Sequence, residues 1–191
     1  MDSIERQIKI IFLKYGIILG VIFLALTIFS YYFITQITGS PVMFVGGPII
    51  LRLFIPIFLT AWLCFKGRAL IGGYWTFKQA TTGIFVMFLL AFAIQFVGKD
   101  LLFDKVIAPD NIQKTQTAAI KFKSIILKQK GETPQNIARD NAEMKKDFVQ
   151  QDGGIGGVIQ GLIISILFIF ILALVFGALF KRDPPGMVSS A

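Results

Sequence analysis

Four long apolar runs, separated by polar segments of unequal length, organise this chain. They extend from about Tyr15 to Gln36, Ile49 to Phe65, Gln79 to Val97 and Ile155 to Phe180. Each is near the roughly 20 residues that a helix rising about 1.5 Å per residue requires to cross a hydrocarbon layer of about 30 Å. Thr27, Ser30 and the pair Tyr31-Tyr32 interrupt the first run. It exceeds a cleavable hydrophobic region and no small-x-small site follows it, so it reads as a span rather than a signal peptide. The stretch from Thr38 to Pro48, with Gly39, Pro41, Gly46, Gly47 and Pro48, reads as the turn into the second run. Pro56 is expected to kink that run, because proline lacks a backbone donor and crowds the carbonyl one turn earlier. The pattern therefore predicts an all-α membrane protein: one polytopic domain over residues 1–191, with four transmembrane helices.

The polar segment between the third and fourth runs, residues 99–154, differs from the others in length and charge, with ten Lys or Arg and eight Asp or Glu. Asp110 is expected to cap a helix reaching about Lys130, with Ile112, Ala119, Phe122, Ile125 and Ile126 as its apolar stripe and Gly131 at its end. Thr133-Pro134 predicts a second start, a capping hydroxyl before a proline in the first turn. Ile137, Met144 and Phe148 share a face of that helix, and Gly153-Gly154 ends it. The two helices are expected to form a hairpin, burying their stripes against each other or the membrane surface.

Composition agrees with the pattern: 55% hydrophobic, 14% aromatic and 16% charged residues, with a mean hydropathy of +0.73, lie outside the range of water-soluble domains. The net charge of +8 points to topology rather than nucleic acid. Arg6, Lys9 and Lys14 precede the first run, Lys66, Arg68 and Lys78 lie between the second and third, and Lys181 and Arg182 follow the fourth; the Thr38 to Pro48 connection carries no charge. The positive-inside rule assigns both termini to the cytoplasm and the 99–154 insert to the opposite side. Tyr15, Trp62, Tyr74 and Trp75 are expected at the inner headgroup level, and Tyr31-Tyr32 at the outer one.

Candidate chemistry is sparse. Cys64 is the single cysteine and there is no histidine, which excludes an intramolecular disulfide, a Cys/His zinc site and an imidazole base. Cys64 reads as small apolar filler. Asp100, Asp104 and Asp110 lack a glycine-containing calcium loop and read as interfacial charge. No catalytic residue, cofactor site or metal site is expected.

Small residues at four-residue spacing let membrane helices approach closely. Gly16 and Gly20 open the first run; Gly153, Gly157 and Gly161 lead into the fourth; Ala173 and Gly177 lie near its end. Matching depths predict that Gly16/Gly20 touch Ala173/Gly177, with homodimerisation through the same glycines as the rival reading. Arg52 is the one charge within the apolar runs, expected near the outer end of the second, where its side chain reaches headgroups. Gln95 and Gln160 are expected at a similar level as interhelical hydrogen-bonding groups.

Leu13-Lys14-Tyr15-Gly16, the segment Gly73-Tyr74-Trp75-Thr76-Phe77-Lys78-Gln79-Ala80, the charged helical insert and the final Lys181-Arg182 together resemble the domain-of-unknown-function 4199 family of Bacteroidota membrane proteins. The resemblance implies an inner-membrane protein of a Gram-negative bacterium with its insert in the periplasm, and no activity or catalytic residues to carry over. The expected function is non-enzymatic: an accessory or scaffolding subunit of a membrane complex, partnered by the lipid bilayer, by another membrane or periplasmic protein, or by further copies of itself. The alternative is a small oligomeric transporter or channel for a neutral or lipid-like substrate, which a polar cavity reaching Arg52, Gln95 or Gln160 would favour. A lipid-acting enzyme would require polar side chains converging around Arg52 and Asp100.

Overall fold

The computed structural model describes residues 2–150 and 154–183. Its seven α-helices are α1 (Asp2–Tyr32), α2 (Pro41–Ile49), α3 (Ile55–Leu70), α4 (Phe77–Gln95), α5 (Asn111–Gln129), α6 (Pro134–Gln150) and α7 (Gly154–Phe180). Wider π-helical turns extend α1 over Phe33–Ile37, join α2 to α3 over Ile50–Phe54 and extend α4 over Phe96–Ile107. Four continuous rods result, Ile4–Ile37, Pro41–Leu70, Phe77–Ile107 and Gly157–Phe180, all long and apolar enough to cross a membrane. No strand occurs among the described residues.

The first three rods exceed their apolar runs, the first and third because charged ends continue as helix. The largest departure is the second rod, which starts at Pro41 after a connection of only Thr38, Gly39 and Ser40. Gly46, Gly47 and Pro48, expected to form a turn, are helical. In lipid an open turn would strand backbone donors, so the chain stays helical and the π-helical turns Ile50–Phe54 take up the disturbance between Pro48 and Pro56.

The helix α4 is the centre of the bundle, with α1 and α7 on different faces of it. On one face, a Cβ added at Gly16 would come 2.8 Å from the Met87 carbonyl oxygen and 3.0 Å from Leu90, and one at Gly20 would come 2.9 Å from Ile94 and 3.0 Å from Ala91. Gly83 of α4 answers from its own side, lying against Ile8 and Phe12. The other face meets α7 through Phe85 on Phe170 and Phe88 on Phe176, edge-on at 5.8 and 5.7 Å, and through Thr81 on Gly177.

The expected contact of Gly16/Gly20 with Ala173/Gly177 is therefore corrected. The two pairs do not share a level: Gly16 and Gly20 meet α4 at Met87 and Ala91, Gly177 meets it at Thr81, and α4 stands between α1 and α7. Ala173 is fully buried in the same core. Gly157 and Gly161 face open space, and Gly153 lies outside the described residues.

At the end of the bundle opposite the chain termini, Tyr31 packs edge-on against Phe103 at 5.4 Å, and Phe44 stacks on Phe122 of α5 at 4.6 Å. Phe122 thus seats α5 on the start of the second rod. Asn141 of α6 donates to Ser124 Oγ at 2.9 Å, and Lys123 faces Asp140 at 3.5 Å, tying α6 to α5. Ile137 is buried, Met144 half-buried, and Ile112, expected in the apolar stripe, is exposed; the side chain of Phe148 lies outside the described residues. Gly131, at φ +81°, ends α5, and Thr133 Oγ1 accepts from Asn136 N at the start of α6. Asp110 does not cap α5; its carboxylate accepts from Lys114 Nζ at 2.8 Å, one turn along.

Substitution tests which glycines carry the packing. Gly20→Leu forces branched carbon into the α4 backbone and is expected to destabilise the fold by about 1–3 kcal/mol, whereas Gly157→Leu is expected to be silent. Cys64, fully buried and the single cysteine, reports this directly: a thiol-reactive dye in mild detergent should label Gly20→Leu at a lower temperature than the parent.

Candidate functional site

Two places combine polar side chains with a constrained backbone. The first is a pocket of about 170 Å³ between α1, the π-helical turns before α3, and α4, lined by Phe23, Leu26, Thr27, Leu51, Arg52, Pro56 and Gln95. Arg52 and Gln95, expected at a common level, do share this site; Gln160 is exposed on α7 and takes no part. Thr27 lies ten residues in from Ile37, Arg52 eleven from Pro41 and Gln95 twelve from Ile107. Arg52 is thus deeper than expected, because its helix starts eight residues earlier than Ile49.

The π-helical turns matter to this site. Arg52 sits within Ile50–Phe54, and Gln95 is the last residue before α4 widens at Phe96. Such turns shift side chains off the regular α-helical face and recur at functional sites. Gln95 Nε2 donates to Thr27 Oγ1 at 3.4 Å, a long contact, and Arg52 has no carboxylate partner among the described residues. The rest of the wall is hydrocarbon. The pocket therefore offers one cation, one amide and one hydroxyl beside apolar surface.

The second place is at the end carrying the chain termini. Gly72 and Gly73 adopt φ of +97° and +85°, which L side chains rarely reach, and Gly73 N donates to Arg68 O at 2.9 Å to close α3. This turn delivers Trp75 inward. Its ring lies 5.3 Å from that of Phe12, and its Nε1 donates to the Phe180 carbonyl at 2.6 Å. Trp75 and Arg182 also exchange backbone hydrogen bonds at 2.9 and 3.1 Å, and Arg68 Nη1 reaches the Phe180 carbonyl at 3.4 Å. The last carbonyls of a helix lack partners within it, and here an indole and a guanidinium supply them for α7.

Trp75, expected as a headgroup anchor, is thus only 1% exposed. The anchoring role falls to Trp62, half exposed with Lys66 Nζ 4.3 Å from its ring, and to Tyr74, with Arg182 over it at 5.4 Å. Thr76 and Gln79 then form a reciprocal capping box, Gln79 N donating to Thr76 Oγ1 at 3.3 Å and Thr76 N to Gln79 Oε1 at 2.9 Å. The Gly73 to Ala80 segment is a turn, a buried donor and a helix start in succession.

The remaining polar groups mostly satisfy one another. Lys99 Nζ lies 2.7 Å from both Asp100 Oδ1 and Asp104 Oδ2, and Asn111 Nδ2 donates to Asp104. Lys114 holds the Asp110 carboxyl below the usual carboxylate range by its hydrogen bond. Among the described residues no group of three or more acidic or Cys side chains is placed to hold a metal ion. Asp100 does not line the Arg52 pocket. A groove of about 570 Å³ between Phe33–Ile37 and α5, lined by Thr35, Gln36, Thr38, Gln113, Lys114 and Lys121 among others, was not foreseen in the sequence, since no motif marks it.

Removing the indole N–H should be costly. Trp75→Phe leaves the Phe180 carbonyl with the longer Arg68 contact alone and is expected to destabilise the fold by about 1–3 kcal/mol. The same dye-labelling melt measures it, with Trp62→Phe as the control that leaves stability near the parent value.

A family model described as "Protein of unknown function (DUF4199)" matches residues 14–182. No curated protein and no solved structure matches the chain. The matched range takes in the glycine-notched middle of α1, the Arg52 pocket, the Gly73 to Ala80 turn and the Arg182 bridge to it, so the chain belongs to the DUF4199 family.

Proposed function

We propose that this protein is a non-enzymatic accessory or scaffolding subunit of a membrane complex. It lies in a bacterial inner membrane with both termini in the cytoplasm and α5–α6 as a hairpin on the periplasmic side. Support for the orientation comes from charge: Lys9 and Lys78 share a surface at the terminal end, where Arg68 reaches the Phe180 carbonyl and Arg182 pairs with Trp75, while the Thr38–Ser40 connection at the opposite end has no charge.

The observation that carries the accessory reading is the second rod. Its most apolar stretch has no buried residue, yet it bears an aromatic ladder at helical spacing: Phe54, Phe58, Trp62 and Phe65, 50%, 73%, 51% and 54% exposed. Aromatic side chains supply large contact area at helix interfaces. Inward of the Arg52 pocket the bundle is filled by Phe12, Leu19, Leu63, Ile84 and Met87, which leaves the outer faces as the surfaces for interaction. The pocket itself favours the second reading, an oligomeric transporter for a lipid-like substrate, whose path would run between chains.

A benzophenone amino acid in place of Phe58, irradiated in native membranes, tests the accessory reading. The expected outcome is a discrete adduct with a different protein, absent when the same group replaces Val175 on α7. Adducts with lipid alone overturn it, and adducts with a second copy replace it by the oligomeric reading.

A further inference from the structure

We infer that the Arg52 pocket is a binding site for an anionic amphiphile, holding the phosphate or carboxylate of a lipid headgroup while hydrocarbon walls receive the start of its acyl chain. The inference goes beyond the accessory reading and depends on neither functional proposal.

Size and chemistry argue together. At about 170 Å³ the pocket is well below the roughly 300–1,000 Å³ of sites that enclose a whole small molecule. It suits one polar group whose remainder extends outside. The donors are a guanidinium, able to grip a phosphate or carboxylate through two parallel hydrogen bonds, and the Gln95 amide, which has only the long Thr27 contact to keep it. Phe23, Leu26, Leu51 and Pro56 complete the wall and are suited to methylenes.

Energetics explain why a ligand is called for. A cation at this depth is expensive in lipid unless it pairs or reaches the interface. Arg52 has no carboxylate to pair with among the described residues, and about 16 Å of helix separates it from Pro41. Glutamine and threonine on neighbouring rods cannot neutralise it. An anionic headgroup drawn a short distance inward, meeting a guanidinium that extends outward, does so. The π-helical turns at Ile50–Phe54 and after Gln95 supply the irregular wall that lets such a group enter between rods.

Photolabelling of the full chain tests this site by site. The protein is reconstituted in phosphatidylcholine liposomes doped with a phosphatidylglycerol carrying a diazirine high on one acyl chain, and adducts are mapped by mass spectrometry. Adducts on the segments 23–27 and 51–56 are expected to exceed those from the matching phosphatidylcholine probe about ten-fold. They should fall to the phosphatidylcholine level in Arg52→Gln, fall about two- to three-fold in Gln95→Leu, and fall only part of the way in Arg52→Lys, which keeps the charge but loses the paired hydrogen bonds. Labelling near Lys66 should be unchanged throughout, and Cys64 should stay protected from thiol dye, which shows that each variant is folded. Equal labelling by the two headgroups, or no change in Arg52→Gln, overturns the inference. Inorganic phosphate in the aqueous phase should not compete; displacement by it identifies a free anion as the ligand and overturns the lipid source.

Discussion

Close backbone approach between α1 and α4 is the constraint on which the rest of the structure depends. Lipid solvates apolar side chains as well as protein does, so helices in a bilayer gain little by merely being greasy and must gain by fitting. Gly16 and Gly20 bring α1 against the backbone of Met87 and Ala91, and Gly83 and Gly67 open the space that the Phe12 ring fills between α4 and α3. Phe12 in turn packs at a tilt against Trp75, which reaches the end of α7. One notched interface thereby registers the two other rods, those of α3 and α7, with α4 as the shared wall.

The opposite face of α4 works differently. There the contacts are edge-on phenyl rings, with a single small residue, Gly177, admitting Thr81. Aromatic pairs hold helices at a greater separation than glycine notches do, and the bundle is tight along α1–α4 and looser toward α7.

Much of this was legible in the residues, within limits set by what each signal measures. Hydropathy marks the thickness of oil a helix crosses, so all four spans were readable, but not the helical ends that Arg6, Lys9 or Asp100 carry into the interface. Gly46-Gly47-Pro48 reads as a turn by the habits of chains in water, and only the absence of competing donors in lipid makes it helical. Glycine spacing announces that a backbone comes near without saying whose, which is why Gly16/Gly20 and Gly177 were matched to each other rather than to α4. The common level of Arg52 and Gln95 followed from counting residues, while Thr27 carried no distinguishing mark. Trp75 was misread because its partner is a carbonyl, and a backbone group has no identity in a sequence. Thr76-x-x-Gln79, by contrast, was there to be seen as a capping box.

The bond from Trp75 to the Phe180 carbonyl has a consequence for how the molecule is made. The two residues are 105 positions apart, so a ribosome adding about 5–20 residues per second completes the acceptor roughly 5–20 seconds after the donor. The third rod, Phe77–Ile107, is finished within the first third of that interval, and from then on three rods are complete with an indole donor still waiting for the last one. Assembly of this bundle closes from its final helix backward, and whatever shelters nascent membrane chains must hold the early rods until it arrives.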